Sequence, residues 1–160
     1  MQIMPFLLRA WTLAIVVGGA FLPADARAAD QPASAITPTQ PDSPMRITIT
    51  LRDTTLFATL NDTPAAKDFV TMLPLTLPLE DYARSEKIGY PSRKLTTAGS
   101  PAGVGGPAGT IAYYAPWGNL VLYYENFRPD DGVFILGAVD GAIDALRVPG
   151  PLTVTIDRAR

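Results

Sequence analysis

The sequence predicts an all-β domain with two short helices, folded as a closed or nearly closed antiparallel barrel; a two-sheet sandwich is the alternative. Three observations predict it. From Met45 onward, short apolar runs alternate with polar residues at period two, the pattern of strands with one buried face. Gly, Pro, Asn and Asp punctuate these runs at short intervals, so the connections are tight. Only two short stretches carry helix-start signals, which leaves six or more strands with two small caps, an arrangement that suits a barrel closing on itself.

The elements follow in order. Ile47, Ile49 and Leu51 alternate with Thr48, Thr50 and Arg52, so one face is apolar. Asp53-Thr54 reads as a hairpin turn, after which Leu56, Ala58 and Leu60 repeat the pattern. Asp62-Thr63-Pro64 starts a helix, with a side-chain oxygen to cap free N–H groups and proline at the first helical position. That helix is expected over 64–73, burying Ala65, Phe69, Met72 and Leu73. Leu75, Leu77 and Leu79 alternate again, but Pro78 cannot donate a ladder hydrogen bond, so this strand lies at an edge or carries a bulge. Further strands are expected over 110–114, 120–124, 133–139 and 152–156, the last with Leu152, Val154 and Ile156 inward. Asp140 is expected to cap a second helix over 141–146, ended by Pro149-Gly150. Residues 99–109, rich in Gly and Pro, lead into a strand and lack the Lys-Ser/Thr ending of a phosphate loop; they read as a flexible surface loop.

The first residues speak to location. Arg9 precedes an uncharged apolar run from Ala10 to Leu22, Pro23 ends it, and Ala24, Ala26 and Ala28 form overlapping A-x-A patterns. This is the layout of a secretory signal peptide, expected over 1–28 with cleavage after Ala28, or after Ala26. The run is shorter than the ~20 residues that span a bilayer, so no membrane span is expected after cleavage. The protein is expected to be exported, periplasmic or secreted. Residues 29–44, with Pro32, Pro38, Pro41 and Pro44 among small polar residues, read as a disordered linker, leaving 45–160 as the barrel domain.

Composition removes several function classes. The net charge of −2 gives no long-range attraction to nucleic acid. The 160 residues include no cysteine and no histidine, so Ser-His-Asp and Cys-His machinery are out of reach, as are His- or Cys-ligated metals. No acidic loop suits calcium, and no cofactor or metal is expected.

Chemistry concentrates in two places. Tyr113, Tyr114, Pro116 and Trp117 crowd a strand-to-strand turn, and aromatic groups there either plug one barrel end or line a concavity that accepts apolar groups, sugars or proline rings. Residues 80–87 hold five charges around Tyr82. They read either as a solvated connection or as polar handles, with Glu86 and Lys87 projecting beside the aromatic turn. Glu80 and Glu86 have the chemistry for acid–base work, yet nothing in the spacing makes them converge. The candidate ligand-contacting residues are Tyr82, Glu86, Lys87, Tyr113, Tyr114, Trp117 and Asn119; none is assigned a catalytic role.

The runs D-T-P-A-A-K-D-F (62–69), L-P-L-T-L (73–77), E-D-Y (80–82), E-K-I (86–88) and G-T-I-A-Y-Y-A-P-W-G-N-L (109–120) resemble a bacterial family of small cyclophilin-like proteins. The resemblance extends from Arg46 to Arg158, with Y-Y-A-P-W-G-N its most specific part. It implies a closed antiparallel cyclophilin-like β-barrel of about eight strands with helices at its ends. True cyclophilins isomerise prolyl bonds with an arginine and phenylalanine, glutamine, tryptophan and histidine side chains. This chain has no histidine and no F-x-M-Q pattern, so that site does not carry over, and shared fold does not transfer function. Three functions follow as expectations. The first is a binding module that holds a small molecule or peptide in an aromatic groove. The second is a degenerate prolyl isomerase with Arg84 or Arg93 as donor. The third is an interaction domain docking through a barrel edge or the Gly-rich loop. The sequence assigns no oligomeric state.

Overall fold

A computed structural model describes residues 44–160. The signal peptide expected over 1–28 and the linker expected over 29–44, save its last residue, lie outside the described residues. Among the described residues no helix is long and apolar enough to cross a membrane.

Eight strands form the domain: β1 (Met45–Leu51), β2 (Thr54–Leu60), β3 (Leu75–Tyr82), β4 (Glu86–Gly89), β5 (Thr110–Tyr114), β6 (Asn119–Tyr123), β7 (Val133–Val139) and β8 (Leu152–Arg158). All pairings are antiparallel, and the order β1-β2-β7-β5-β6-β4-β3-β8 closes on itself. The barrel is therefore the cyclophilin-like one expected, and the sandwich is not. Closure leaves no strand at a sheet edge, which removes the edge-docking version of the interaction reading.

Alternation fills the interior. Ile47, Ile49, Leu56, Ala58, Leu77, Leu79, Val154 and Ile156 all point into the main core. Helix α1 (Pro64–Val70) lies at the end where β2 finishes and drives Phe69, fully buried, into that core. Its start is as expected: the Thr63 side chain accepts from the Ala66 N–H, and Pro64 opens the first turn. The strand register puts a 3-10 turn (Asp144–Arg147) at the opposite end, where Leu146 is fully buried. Pro78 falls in the stretch of β3 that pairs with β8 alone, since β4 pairs only with Glu80–Tyr82; its missing N–H costs no ladder bond.

Several boundaries differ from expectation. The β1–β2 turn is Arg52-Asp53, one residue early, because Leu51 pairs with Thr54. Helix α1 stops at Val70 rather than 73, since Leu73 precedes Pro74 and is barred from helical geometry. Strand β6 runs one residue earlier than expected, from Asn119, and β8 extends to Arg158. The second helix over 141–146 does not form. Asp140, its expected cap, instead accepts from Thr59 and pairs with Arg46, and only the 3-10 turn follows. Strand β4 was hidden in the charged 80–87 run, where Ala83 and Arg84, both at positive φ, make the turn.

The Gly-rich segment is tied down rather than free. Gly106 and Phe127 exchange backbone hydrogen bonds of 3.2 and 3.0 Å, Gly103 donates to Val133, and Gly109 donates to Tyr123. A Cβ at Gly105 would sit 2.7 Å from the Phe127 carbonyl oxygen, so glycine there permits the two segments to lie against each other.

Candidate functional site

Strands β4, β6, β5 and β7 differ from the rest of the barrel wall because their outer face is covered too. Inward go Ile111, Tyr113, Leu120, Leu122 and Leu136; outward go Ile88, Ala112, Val121, Tyr123 and Val133, which form a second buried cluster with Tyr114 and Phe127 packed on it. The Tyr123 and Phe127 rings stack 3.7 Å apart at 8°.

Beside this cluster the outer face opens into a cavity of about 330 Å³. That volume lies at the lower end of the ~300–1,000 Å³ usual for ligand pockets, so an occupant is small or is one side chain. Tyr82, Tyr114 and Trp117 line one part of it; Glu86, Asn119 and Tyr123 line another, with Arg128 and Asp130 also on the wall. Tyr82 and Tyr114 both stand edge-on to Trp117, at 87° and 81° and centroid distances of 5.2 and 5.6 Å. Rings set at right angles do not fill a space by stacking on one another, and Trp117 stays 46% exposed.

The polar groups are unevenly satisfied. Asn119 is 1% exposed, and its Oδ1 has no hydrogen-bond partner among the described residues. Burial raises the Glu86 carboxyl above its ordinary value, and a hydrogen bond from the Tyr123 hydroxyl opposes this only in part. Burial, then the neighbouring Glu86 charge, pushes the Tyr123 phenol up, so it stays a donor. Arg128 has no ion pair or hydrogen bond among the described residues. Nor do three metal-ligating side chains gather anywhere among them.

Of the residues singled out from sequence, the structure brings together Tyr82, Glu86, Tyr114, Trp117 and Asn119 on the cavity wall. It separates two. Tyr113 is 1% exposed in the barrel interior, where its hydroxyl accepts from the Leu95 N–H. Lys87 is fully buried in the interior and does not project beside the aromatic turn: its Nζ donates to the Val148 and Gly150 carbonyls at 2.8 Å and pairs with Asp81 at 2.6 Å. The cause is the same for both. Successive strand residues face opposite sides, so Tyr113 and Tyr114 cannot share a surface, and neither can Glu86 and Lys87. Glu80 does not line the cavity, so the two-carboxylate arrangement is absent.

Neither arginine considered as an isomerase donor reaches this site. Arg93 holds both Asp68 oxygens, at 2.7 and 2.8 Å, on α1, and Arg84 sits in the β3–β4 turn outside the cavity wall. Sequence reasoning missed Val121, Tyr123, Phe127, Arg128 and Asp130. One signal for the first two was present. In β5 (TIAYY) and β6 (NLVLY) the polar alternation lapses, the mark of strands covered on both faces.

A model described as the cyclophilin-like family matches residues 49–157. The fold is similar to the solution structure of the hypothetical protein AF2241 from Archaeoglobus fulgidus, with a TM-score of 0.54 and 16% identity over 75% of this chain and 100% of that one. At such identity the likeness speaks to fold alone. No curated protein matches the chain. The family match covers well over half of the sequence and runs from within β1 to within β8, and on that ground the chain belongs to the cyclophilin-like family.

Proposed function

We propose that this chain is an exported, non-catalytic binding module that holds a small ligand or a single peptide side chain in the outer-face cavity. The observation that carries the reading is Asn119: a buried carbonyl oxygen left without a partner on the wall of an aromatic cavity. An unmet buried acceptor costs about 1–3 kcal/mol, which a bound donor returns. The export half of the reading rests on the signal-like order of Arg9, the Ala10–Leu22 run and the A-x-A patterns. The absence of histidine and cysteine, and the lack of converging carboxylates, favours holding over turnover.

The test uses Trp117 as reporter. In the full chain carrying Trp11→Phe it is the sole tryptophan, and its fluorescence is followed against prolyl peptides, sugars, nucleotides, flavins and simple amines. A saturable change with one class, lost in Tyr114→Ala, is the expected result. Indifference to every class overturns the reading. A prolyl peptide that binds and is also isomerised faster than in free solution would replace it with the isomerase alternative, Arg128 being the arginine on that wall.

A further inference from the structure

We propose that the outer-face cavity takes a protonated primary or secondary amine on an apolar stem, its N–H groups shared between Asn119 Oδ1 and the Glu86 carboxylate and its stem against Tyr82, Tyr114 and Trp117. The inference rests on the binding reading above and names the ligand's chemical class.

Three features of the wall converge on it. First, the buried Asn119 oxygen lacks a donor among the described residues, so the occupant has to bring an N–H or O–H. Second, the wall is short of positive charge. Glu86 and Asp130 stand against Arg128 alone, and Glu86 is half-buried with only the Tyr123 hydroxyl to stabilise its charged form. Lys87, its chain neighbour, faces the other side of the sheet and is committed to Asp81. A neutral donor would satisfy Asn119 and leave the carboxylate uncompensated; an anion would be repelled by it. An ammonium supplies donors and charge together. Third, Tyr82, Tyr114 and Trp117 are set at right angles and remain partly open, and aromatic walls of this kind attract a cation and its alkyl stem through ring quadrupoles and apolar contact.

The charge requirement carries a pH signature. Burial raises Glu86 above its ordinary 4.5, so the free cavity holds a proton that the amine must displace. The groups that accompany Glu86 on this wall are Tyr123, which stays protonated, Arg128, and Asp130. Amine affinity therefore rises as pH rises through the Glu86 titration and levels off above it.

The experiment is a calorimetric titration of the full chain with n-butylammonium, n-butanol, butyrate and tetramethylammonium. Butylammonium is expected to bind saturably, with butanol and tetramethylammonium each weaker by about tenfold or more, and butyrate silent. Glu86→Gln is expected to weaken butylammonium by about tenfold and to abolish the rise with pH. Asn119→Leu, which removes the unmet acceptor at similar volume, is expected to weaken it comparably while leaving the unfolding midpoint unchanged or higher. Equal binding of butanol and butylammonium overturns the amine assignment and leaves the cavity a binding site. Equal binding of tetramethylammonium overturns the role given to Asn119. If none of the four probes binds, the amine assignment falls alone when Trp117 responds to another ligand class, and with the binding reading when it responds to none.

Discussion

Glu86 and Lys87 are chain neighbours that end in opposite environments, one on the outer cavity and one sealed inside the barrel. The Lys87 ammonium has three N–H groups and three acceptors: the Val148 and Gly150 carbonyls and the Asp81 carboxylate. Asp81 is in turn held by the Tyr124 hydroxyl and the Gly150 N–H, and its hydrogen bond with Lys87 holds its carboxyl below the ordinary range. This network fastens the chain after the 3-10 turn onto the barrel end. Lys87→Met leaves a carboxylate and two carbonyls without their cation, and is expected to lower stability by about 3 kcal/mol, the lower end of what breaking a buried pair costs, because Asp81 is itself a third exposed. Urea unfolding measures it, and ligand binding at Trp117 should not change. A loss of binding with unchanged stability would return Lys87 to the cavity side. The sequence held half of this. Period-two alternation already separates Lys87 from Glu86 and Tyr113 from Tyr114, once 86–89 is read as a strand. The charge density of 80–87 masked the strand, because buried lysines are rare and three acceptors brought from 61 and 63 residues along the chain, and from β3, leave no local mark.

At the scale of elements, α1 shows what local signals do and do not reach. Its start was legible because Asp62-Thr63-Pro64 acts through neighbouring backbone groups alone. Its anchoring was not. Asp68 receives Arg93 at 2.7 and 2.8 Å and the Thr96 N–H at 2.7 Å, which pins the segment after β4 to the helix. These hydrogen bonds, the Arg93 one largest, bring the Asp68 carboxyl from its ordinary 3.8 down to about 2. A carboxyl depressed in the folded state contributes stability that is full above its unfolded value and is lost as pH falls through its folded one. Thermal melts of the wild type and Asp68→Asn should therefore differ by a constant amount above about pH 3.8, with the gap narrowing as pH falls toward 2. A gap that ignores pH would mean that Asp68 acts through shape and not through its charge. Asp140 marks the opposite failure of local reasoning: a good helix cap by sequence, drawn away by Arg46 and Thr59, which no short-range pattern links to it.

Across the whole molecule, the barrel wall has two kinds of strand, and the difference positions the cavity. Strands β1, β2 and β8 alternate between core and solvent, so their sequences read plainly as half-buried strands. Strands β5 and β6 are enclosed on both faces, by the barrel interior and by the outer cluster of Val121, Tyr123, Val133 and Phe127 under the Gly-rich segment. Double enclosure should make them the most slowly opening part of the protein, and the part against which Trp117, Asn119 and Glu86 are held in place. Native-state hydrogen exchange reads this directly. The hydrogen-bonded amides of Ala112, Val121 and Leu122 should exchange only through global unfolding, while those flanking the Arg52-Asp53 turn should exchange at least about tenfold faster through local opening. Should the β1–β2 amides outlast those of β5 and β6, the outer cluster would be a loose cover and not a second core. The cavity would then have to be shaped by its ligand, because no rigid wall would stand behind it in the free protein.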